Sequence, residues 1–231
     1  MRNVFFAIIG DMVASKQLPN RTEAQERLRA ALEDVNWQYQ DDIASDFMIT
    51  LGDEFQGLLR TGEHFLELID RIQCQIYPLR MRFGIGIGAM STPIFRESSI
   101  GSDGPAYWAA RKAISYIHDK NDYGNAKIRV EKQEVEGDEQ EQLLKLVNAS
   151  LKLCDRYENA WTESQQKFVR DVLLQYQYGQ QGEYNQREIA RKLGISPQLT
   201  NNKMKHTGLV TYVEMRRSIQ NMLQREWGDE E

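Results

Sequence analysis

The sequence predicts an α+β protein in which a sheet-and-helix domain precedes an all-helical domain. Short apolar strand segments alternate with amphipathic helical periods up to about residue 130, and only helical periods follow. The chain has 231 residues, of which 41% are hydrophobic and 27% are charged, as is typical of a folded protein. We expect a first domain at 1–135, a helical connector at 136–180 and a second domain at 181–231.

The first domain is predicted to contain five strands and three helices. The first strand stops at Gly10-Asp11, Gly52-Asp53 is typical of a hairpin turn, and Pro78 ends the second helix. The strands are expected at residues 4–9, 47–50, 55–59, 79–89 and 126–130, and the helices at 20–39, 64–76 and 105–118. The first six elements have the order β-α-β-β-α-β of the ferredoxin-like split unit, and an α-β pair follows.

The rest of the chain is predicted to be helical. The helices are expected at residues 143–157, 164–178, 186–193, 196–205 and 210–227. The polar segment 133–142 is either a linker or an exposed helix start, and the loop 179–184 marks a second boundary.

Composition excludes several classes of protein. No stretch approaches the ~20 apolar residues of a membrane span, so no membrane association is expected. Two cysteines cannot form a disulfide framework, and with three scattered histidines they do not form a zinc motif. We therefore expect a reduced, cytoplasmic location.

Three acids are candidates for a metal site. Asp11 ends the first strand, and Asp53 and Glu54 lie at the tip of the hairpin. In the predicted sheet the first and third strands are neighbours, which brings these acids to one edge. Carboxylates held together need a cation, and Mg²⁺ or Mn²⁺ bound with a nucleotide suits them. The alternative is that Gly-Asp is ordinary turn chemistry and Asp11 a loop or capping residue.

The pattern Ile-Ile-Gly-Asp11 with Leu-Gly52-Asp53-Glu54-Phe55 resembles the core of class III nucleotidyl cyclases and GGDEF cyclases. The segment Gly104-Pro-Ala-Tyr-Trp-Ala-Ala-Arg111 resembles the cyclase helix whose Arg steadies the triphosphate. The resemblance covers roughly residues 1–130. It implies a nucleotidyl cyclase-like fold, metal ligation by Asp11, Asp53 and Glu54, and a catalytic role for Arg111. Across the whole chain, the sequence most resembles the SatD family of bacterial proteins.

The sequence also departs from the cyclase pattern. Tyr107 replaces the Asn of the cyclase helix, and Ile49 replaces the Lys that selects adenine. Leu51 replaces the first Gly of GGDEF. Groups that orient ribose and base are therefore missing, which favours nucleotide binding or an altered activity over an ordinary adenylyl cyclase.

Other residues of the first domain allow two interpretations each. The loop with Ser15 and Lys16 is either a phosphate-binding loop or a plain strand–helix connection. Arg80 and Arg82 are expected as counter-charges to the acidic hairpin. Gly84, Gly86 and Gly88 leave one face of a strand bare, either for a ligand or for close helix packing.

The segment 186–205 is typical of a helix-turn-helix, with Gly194 at the turn and Ser196-Pro197 opening the second helix. Residues 185–227 contain eight Lys or Arg and three acids, whereas the last four residues carry −3 and residues 1–184 therefore carry −7. We predict DNA contacts from residues expected to be exposed on the second helix: Gln198, Thr200, Asn201, Asn202, Lys203 and Lys205. The alternative is a helical subdomain used for dimerisation.

These observations favour a regulatory protein that binds a metal–nucleotide complex in a cyclase-like domain and DNA through its C-terminal helices. The alternative is an enzyme, a divergent nucleotidyl cyclase or transferase of the phosphorus–oxygen lyase type whose helical tail mediates dimerisation. The apolar stripe of the last helix is expected to pack in the core or to form a homodimer.

Overall fold

A computed structural model describes residues 4–120, 124, 126–135, 137–179 and 184–228. In these residues a five-stranded mixed sheet is combined with eight α-helices, an α+β architecture. The strands are β1 (Phe5–Met12), β2 (Ile43–Leu51), β3 (Glu54–Leu59), β4 (Met81–Gly88) and β5 (Ile128–Lys132). Their order in the sheet is β2-β3-β1-β4-β5, in which β5 is parallel to β4 and the other neighbours are antiparallel.

Three helices belong to the sheet region and five follow it. The first three are α1 (Arg21–Gln38), α2 (Phe65–Ile76) and α3 (Pro105–Lys120). The others are α4 (Gly137–Asn159), α5 (Glu163–Tyr176), α6 (Gln186–Leu193), α7 (Pro197–Thr207) and α8 (Leu209–Leu223), and a short π-helical segment, Gln224–Gly228, extends α8. None of the described helices is long and apolar enough to cross a membrane.

The two faces of the sheet are covered by different helices because side chains alternate along each strand. Phe6 and Ile8 of β1 pack in a large core with α1 and α2, whereas Ala7 and Ile9 pack against α3. Helix α3 lies very close to the sheet. A Cβ added at Gly86 would lie 1.9 Å from the Ala106 carbonyl oxygen, so the bare glycine face of β4 serves helix packing rather than a ligand.

Local sequence explains where several helices begin and end. The Asn20 side chain accepts a hydrogen bond from the backbone amide of Glu23 and caps α1. Thr162 and Gln165 form a reciprocal capping box at the start of α5. Gly194, with φ +64°, ends α6 in the left-handed conformation that glycine adopts without strain.

The last helix packs against the sheet region as well as against the other C-terminal helices. Ile219 and Leu223 of α8 and the following Trp227 lie in the same core as α1 and α2. Buried Arg216 forms an ion pair with Asp70 of α2, and Arg217 donates to the carbonyl of Tyr178. Two of the eight C-terminal cations therefore face the body of the protein. The domain boundaries proposed at 135 and 180 stay predictions, and most of the loop 179–184 lies outside the described residues.

Candidate functional site

Strand pairing places the acids predicted at the sheet edge beside one another. Asp11 of β1 lies directly opposite Glu54 of β3 on one side and Arg82 of β4 on the other. The backbone amide of Met12 donates to the Asp53 carbonyl at 3.2 Å, so the hairpin turn lies against the end of β1. We call Asp11, Glu54, Arg82 and Arg111 the carboxylate edge.

Each acid of the carboxylate edge has an arginine partner. Arg111 of α3 donates two hydrogen bonds to the Glu54 carboxylate, at 2.5 and 2.7 Å. Arg82 lies 3.5 Å from Asp11 Oδ2, a longer ion pair, while Asp11 Oδ1 is buried and has no hydrogen-bond partner among the described residues. Glu54 is therefore well neutralised and Asp11 only partly so.

The electrostatic environment of Asp11 disfavours its charged form. Burial is the largest cause that raises the pKa of this carboxyl group, and the charges of Asp53 and Glu54 add to it. Arg82 and His118 oppose the rise, yet the pKa of Asp11 stays above its ordinary value. A cation bound here would relieve this strain.

The carboxylate edge opens into a cavity of about 250 Å³ on the α3 side of the sheet. Its lining also includes Ser115, His118 and Asp119 of α3. His118 and Asp119 were not predicted as site residues. They follow Arg111 by seven and eight residues, which is two turns of helix, so the helical period was the signal that could have found them.

Asp53 lies apart from this cavity. It lines a small cavity of about 10 Å³ with Ser15 and Arg21, on the side of α1. Ser15 is buried at the start of a short 3₁₀ turn, Ser15–Gln17, and Lys16 is exposed. The predicted phosphate loop and the Asp11–Glu54 cavity thus share no lining residue, although Asp53 is close enough to Asp11 to affect its pKa.

The three predicted metal acids do not bring their ligand atoms within 4.8 Å of one another. Among the described residues, the group that does so is Asp42, Glu63 and His64. That group lies at the ends of β2 and β3 that are far from the hairpin turn and the carboxylate edge, because Asp42 directly precedes β2 and Glu63 follows β3. His64 Nδ1 lies 2.8 Å from Asp42 Oδ2, so two of its members form an ion pair.

The predicted DNA-binding residues differ in exposure. Gln198, Asn201, Asn202 and Lys205 of α7 are exposed as expected. Thr200 is fully buried and donates to the Ser196 carbonyl, so the expectation that it is exposed on the second helix is wrong. A threonine can satisfy its hydroxyl on the preceding turn of its own helix, which permits burial.

Lys203 is half-buried rather than exposed. Its ammonium donates to the Ser164 hydroxyl at 2.9 Å and lies 5.7 Å from the centre of the Phe168 ring. Leu199 is 42% exposed. The surface of α7 that remains open therefore includes Gln198, Leu199, Asn201, Asn202 and Lys205.

Fold and site together define an α+β protein with paired acids and arginines at one edge of its sheet. Residues 5–223 match the sequence profile of the SatD family, and the chain belongs to that family. No curated protein matches the chain. One solved structure that it resembles is described as the "Structure of a bacterial light-regulated adenylyl cyclase", with 12% sequence identity, a TM-score of 0.42, and coverage of 56% of this chain and 76% of the other.

Proposed function

We propose that this protein is a regulator that binds a metal–nucleotide complex at the carboxylate edge and DNA through α6 and α7. One observation carries the first half of the proposal. Asp11 faces Glu54 across paired strands, its buried Oδ1 has no hydrogen-bond partner in the described part of the chain, and Arg82 and Arg111 lie beside these two acids. The strand order β2-β3-β1-β4 supports the ferredoxin-like, cyclase-like arrangement proposed for residues 1–135.

The residues at this edge suit Mg²⁺ or Mn²⁺. Carboxylate oxygens are the preferred ligands of these hard cations, and a nucleotide supplies the phosphate oxygens. Asp11 and Glu54 would hold the ion, with Asp53 close by in the turn. Glu54 would exchange Arg111 for the cation, which would leave the Arg111 guanidinium available to the phosphates.

A thermal-shift screen of nucleoside triphosphates with Mg²⁺ or Mn²⁺ tests the metal site. A ligand that binds only the folded state raises the melting temperature by mass action. We expect at least one triphosphate to do so together with the metal in the wild type and in Asp41→Asn, an exposed control. Asp11→Asn should abolish the rise. If no triphosphate stabilises the wild type with either ion, the proposal is wrong.

The DNA-binding half rests on the open polar surface of α7 and on the uneven charge of the chain. Asn and Gln side chains can bind adenine edges, and Lys can neutralise phosphates. Ser196 caps α7 by accepting from the Leu199 amide, so the N-terminus of α7 is well formed. Because Arg216 and Arg217 bind the body, the positive charge available to DNA is smaller than the sequence alone suggests.

Fluorescence anisotropy with fragments of the protein's own operon at low salt tests DNA binding. Binding should weaken as salt rises because it displaces counterions. Lys205→Ala should weaken binding to all sequences, Asn201→Ala should relax sequence preference by about 1–3 kcal/mol, and Lys145→Ala on α4 should change neither. Absence of binding to every fragment at low salt would contradict this half of the proposal.

The second candidate function is a divergent nucleotidyl cyclase or transferase. It is favoured by Arg111, which shares one cavity with Asp11 and Glu54, where it could stabilise charge on a phosphate in the transition state. Labelled triphosphate with Mn²⁺ would then release pyrophosphate, and Arg111→Ala would slow the release sharply. We expect little or no turnover, and robust release by the wild type would favour the enzyme.

A homodimer remains part of the proposal. Leu146 and Leu153 of α4 are 62% and 70% exposed, two leucines seven residues apart on one helix face. Light scattering after size exclusion should give a dimer mass, and Leu153→Glu should shift it to the monomer. A monomeric wild type at high concentration would remove this part.

A further inference from the structure

A cavity of about 90 Å³ lies between the sheet region and the C-terminal helices. Its lining comes from α2 and the following residues 77–80 on one side, and from α4, α5 and α8 on the other. It shares no lining residue with the cavity at the carboxylate edge. We name it the α2–α5 cavity. A molecule bound here would contact both halves of the protein.

The inner wall of the α2–α5 cavity consists of apolar side chains and of one acid that already has hydrogen-bond partners. Val169, Leu173 and Trp161 are buried side chains on this wall. Its one buried acid, Asp70, accepts hydrogen bonds from Arg216 and from the hydroxyls of Tyr178 and Tyr212. The depth of the cavity therefore suits an apolar group, because Asp70 is already fully engaged.

The rim has positive charge without matching negative charge. Lys127 pairs with Glu158 at 2.9 Å, whereas Arg80 donates to the neutral Asn159 side chain, at 3.3 Å. The Arg170 guanidinium lies over the Tyr77 ring, 4.4 Å from its centre. Within the described ranges, neither Arg80 nor Arg170 has a carboxylate at ion-pair distance. An anion at the rim would supply the missing charge.

We propose that the α2–α5 cavity binds a small organic monoanion, with an apolar group inside and one carboxylate at Arg80 and Arg170. An apolar cavity of about 150 Å³ is known to hold benzene, so this smaller one encloses a branched aliphatic group or part of a single ring. The site depends on neither the proposed metal site nor the proposed DNA surface, and it assigns a second ligand to the protein.

The cavity contains its own reporter. Cys74 lines it and is partly exposed, whereas the only other cysteine, Cys154, is buried elsewhere. Burial raises the pKa of the Cys74 thiol well above its ordinary value, so alkylation is slow and needs mildly alkaline buffer. In Cys154→Ser, the rate of alkylation therefore reports the access of a reagent to the α2–α5 cavity.

The experiment measures alkylation of the full-length Cys154→Ser protein by N-ethylmaleimide with benzoate or isovalerate present. Benzamide and isovaleramide, which have the same shapes without the charge, are the matched ligands. At least one carboxylate should slow the reaction by the factor 1 + [L]/Kd, about threefold when its concentration is twice Kd, and the amides should not. The melting temperature should rise with the same ligand.

Two variants locate the anion. Arg170→Gln should abolish the protection, and Arg80→Gln serves if the first variant does not fold. Arg156→Gln, an exposed position of α4 outside the cavity, should keep the protection. Unchanged alkylation with every carboxylate would overturn the proposal. Equal protection by the amides, or protection by inorganic phosphate alone, would also overturn it, since the site would then bind only apolar groups or any anion.

Discussion

Two acid–arginine clusters of this protein differ in burial and in how fully the acid of each is hydrogen-bonded. In the buried cluster, formed by Asp70, Tyr178, Tyr212 and Arg216, the acid receives hydrogen bonds from all three partners. In the carboxylate edge, Asp11 has one long ion pair, and its second oxygen has no partner among the described residues. The buried cluster satisfies its acid, although Arg216 Nη1 has no partner among the described residues. The acid of the carboxylate edge is incompletely paired and lines a cavity, which is where a ligand can bind.

The first prediction breaks the buried cluster. Arg216→Met should lower the free energy of unfolding by about 3–5 kcal/mol, because it leaves the Asp70 carboxylate buried without its cation. Urea denaturation measures the loss. The double variant Asp70→Asn, Arg216→Met should recover much of it, since no buried charge is left and the introduced amide oxygen can still accept from the Tyr178 and Tyr212 hydroxyls. A single variant as stable as the wild type would contradict the role given to this cluster.

The second prediction concerns Asp155, which accepts hydrogen bonds from the amides of Lys127 and Ile128 near Arg216. Burial raises its pKa from 3.8 to about 7, so between these values the folded state binds a proton that the unfolded state does not. Stability should therefore fall as pH rises from about 4 to above 7, by at most roughly 4 kcal/mol.

Asp155→Asn keeps the shape of this side chain and removes its titration. Thermal unfolding across this pH range should show a flatter profile for the variant than for the wild type. If the two profiles run parallel, the carboxylate does not titrate in this range, and its burial is compensated in another way.

The third prediction is that replacing the acid of the carboxylate edge does not destabilise the protein, in contrast to breaking the buried cluster. Asp11→Asn should leave the free energy of unfolding unchanged or raise it by about 1 kcal/mol, because Asp11 is half-buried with one long ion pair and, among the described residues, no partner for Oδ1. Denaturation without metal, at neutral pH, measures it. A loss of several kcal/mol would instead show that Asp11 is a structural acid like Asp70.

The smallest effect is expected at the half-exposed pair of His64 and Asp42. The hydrogen bond to Asp42 raises the pKa of His64, so its contribution is complete below the ordinary value of 6.5 and is lost as pH rises through the folded pKa. Because solvent screens this pair, His64→Gln should cost less than about 1 kcal/mol at pH 6 and nothing well above neutrality. An equal cost at both pH values would show that packing, not charge, is involved.

Periodicity and turn residues predicted the five strands and eight helices, but the sequence left several boundaries uncertain. β2 begins at Ile43 instead of 47 because the buried Ser45 hydroxyl donates to the Phe95 carbonyl, and Asp46 pairs with Arg96 at 3.0 Å. α4 begins at Gly137 instead of 143, since its first turn is polar and carries no hydrophobic period. Polar residues satisfied by distant partners are invisible to a local pattern.

The candidate site was predicted in part for the same reason. Strand order brought Asp11 to the hairpin, but pattern alone could not tell that Asp53 and Glu54 would line cavities on different sides of the sheet. A local sequence pattern also could not predict the burial of Arg216, because its partner Asp70 lies 146 residues earlier in the chain. The exposed face predicted for α7 was wrong at Thr200, whose hydroxyl bonds within its own helix.

The central claim is that the carboxylate edge binds a divalent cation together with a triphosphate. Electron paramagnetic resonance of Mn²⁺ tests it most directly, because the six-line signal of free Mn²⁺ disappears on binding. With a triphosphate selected by thermal shift, the wild type and Asp41→Asn should reduce the free signal beyond nucleotide alone, and Asp11→Asn should not. A wild type that leaves the signal unchanged, or an Asp11→Asn that binds as well, would contradict the claim.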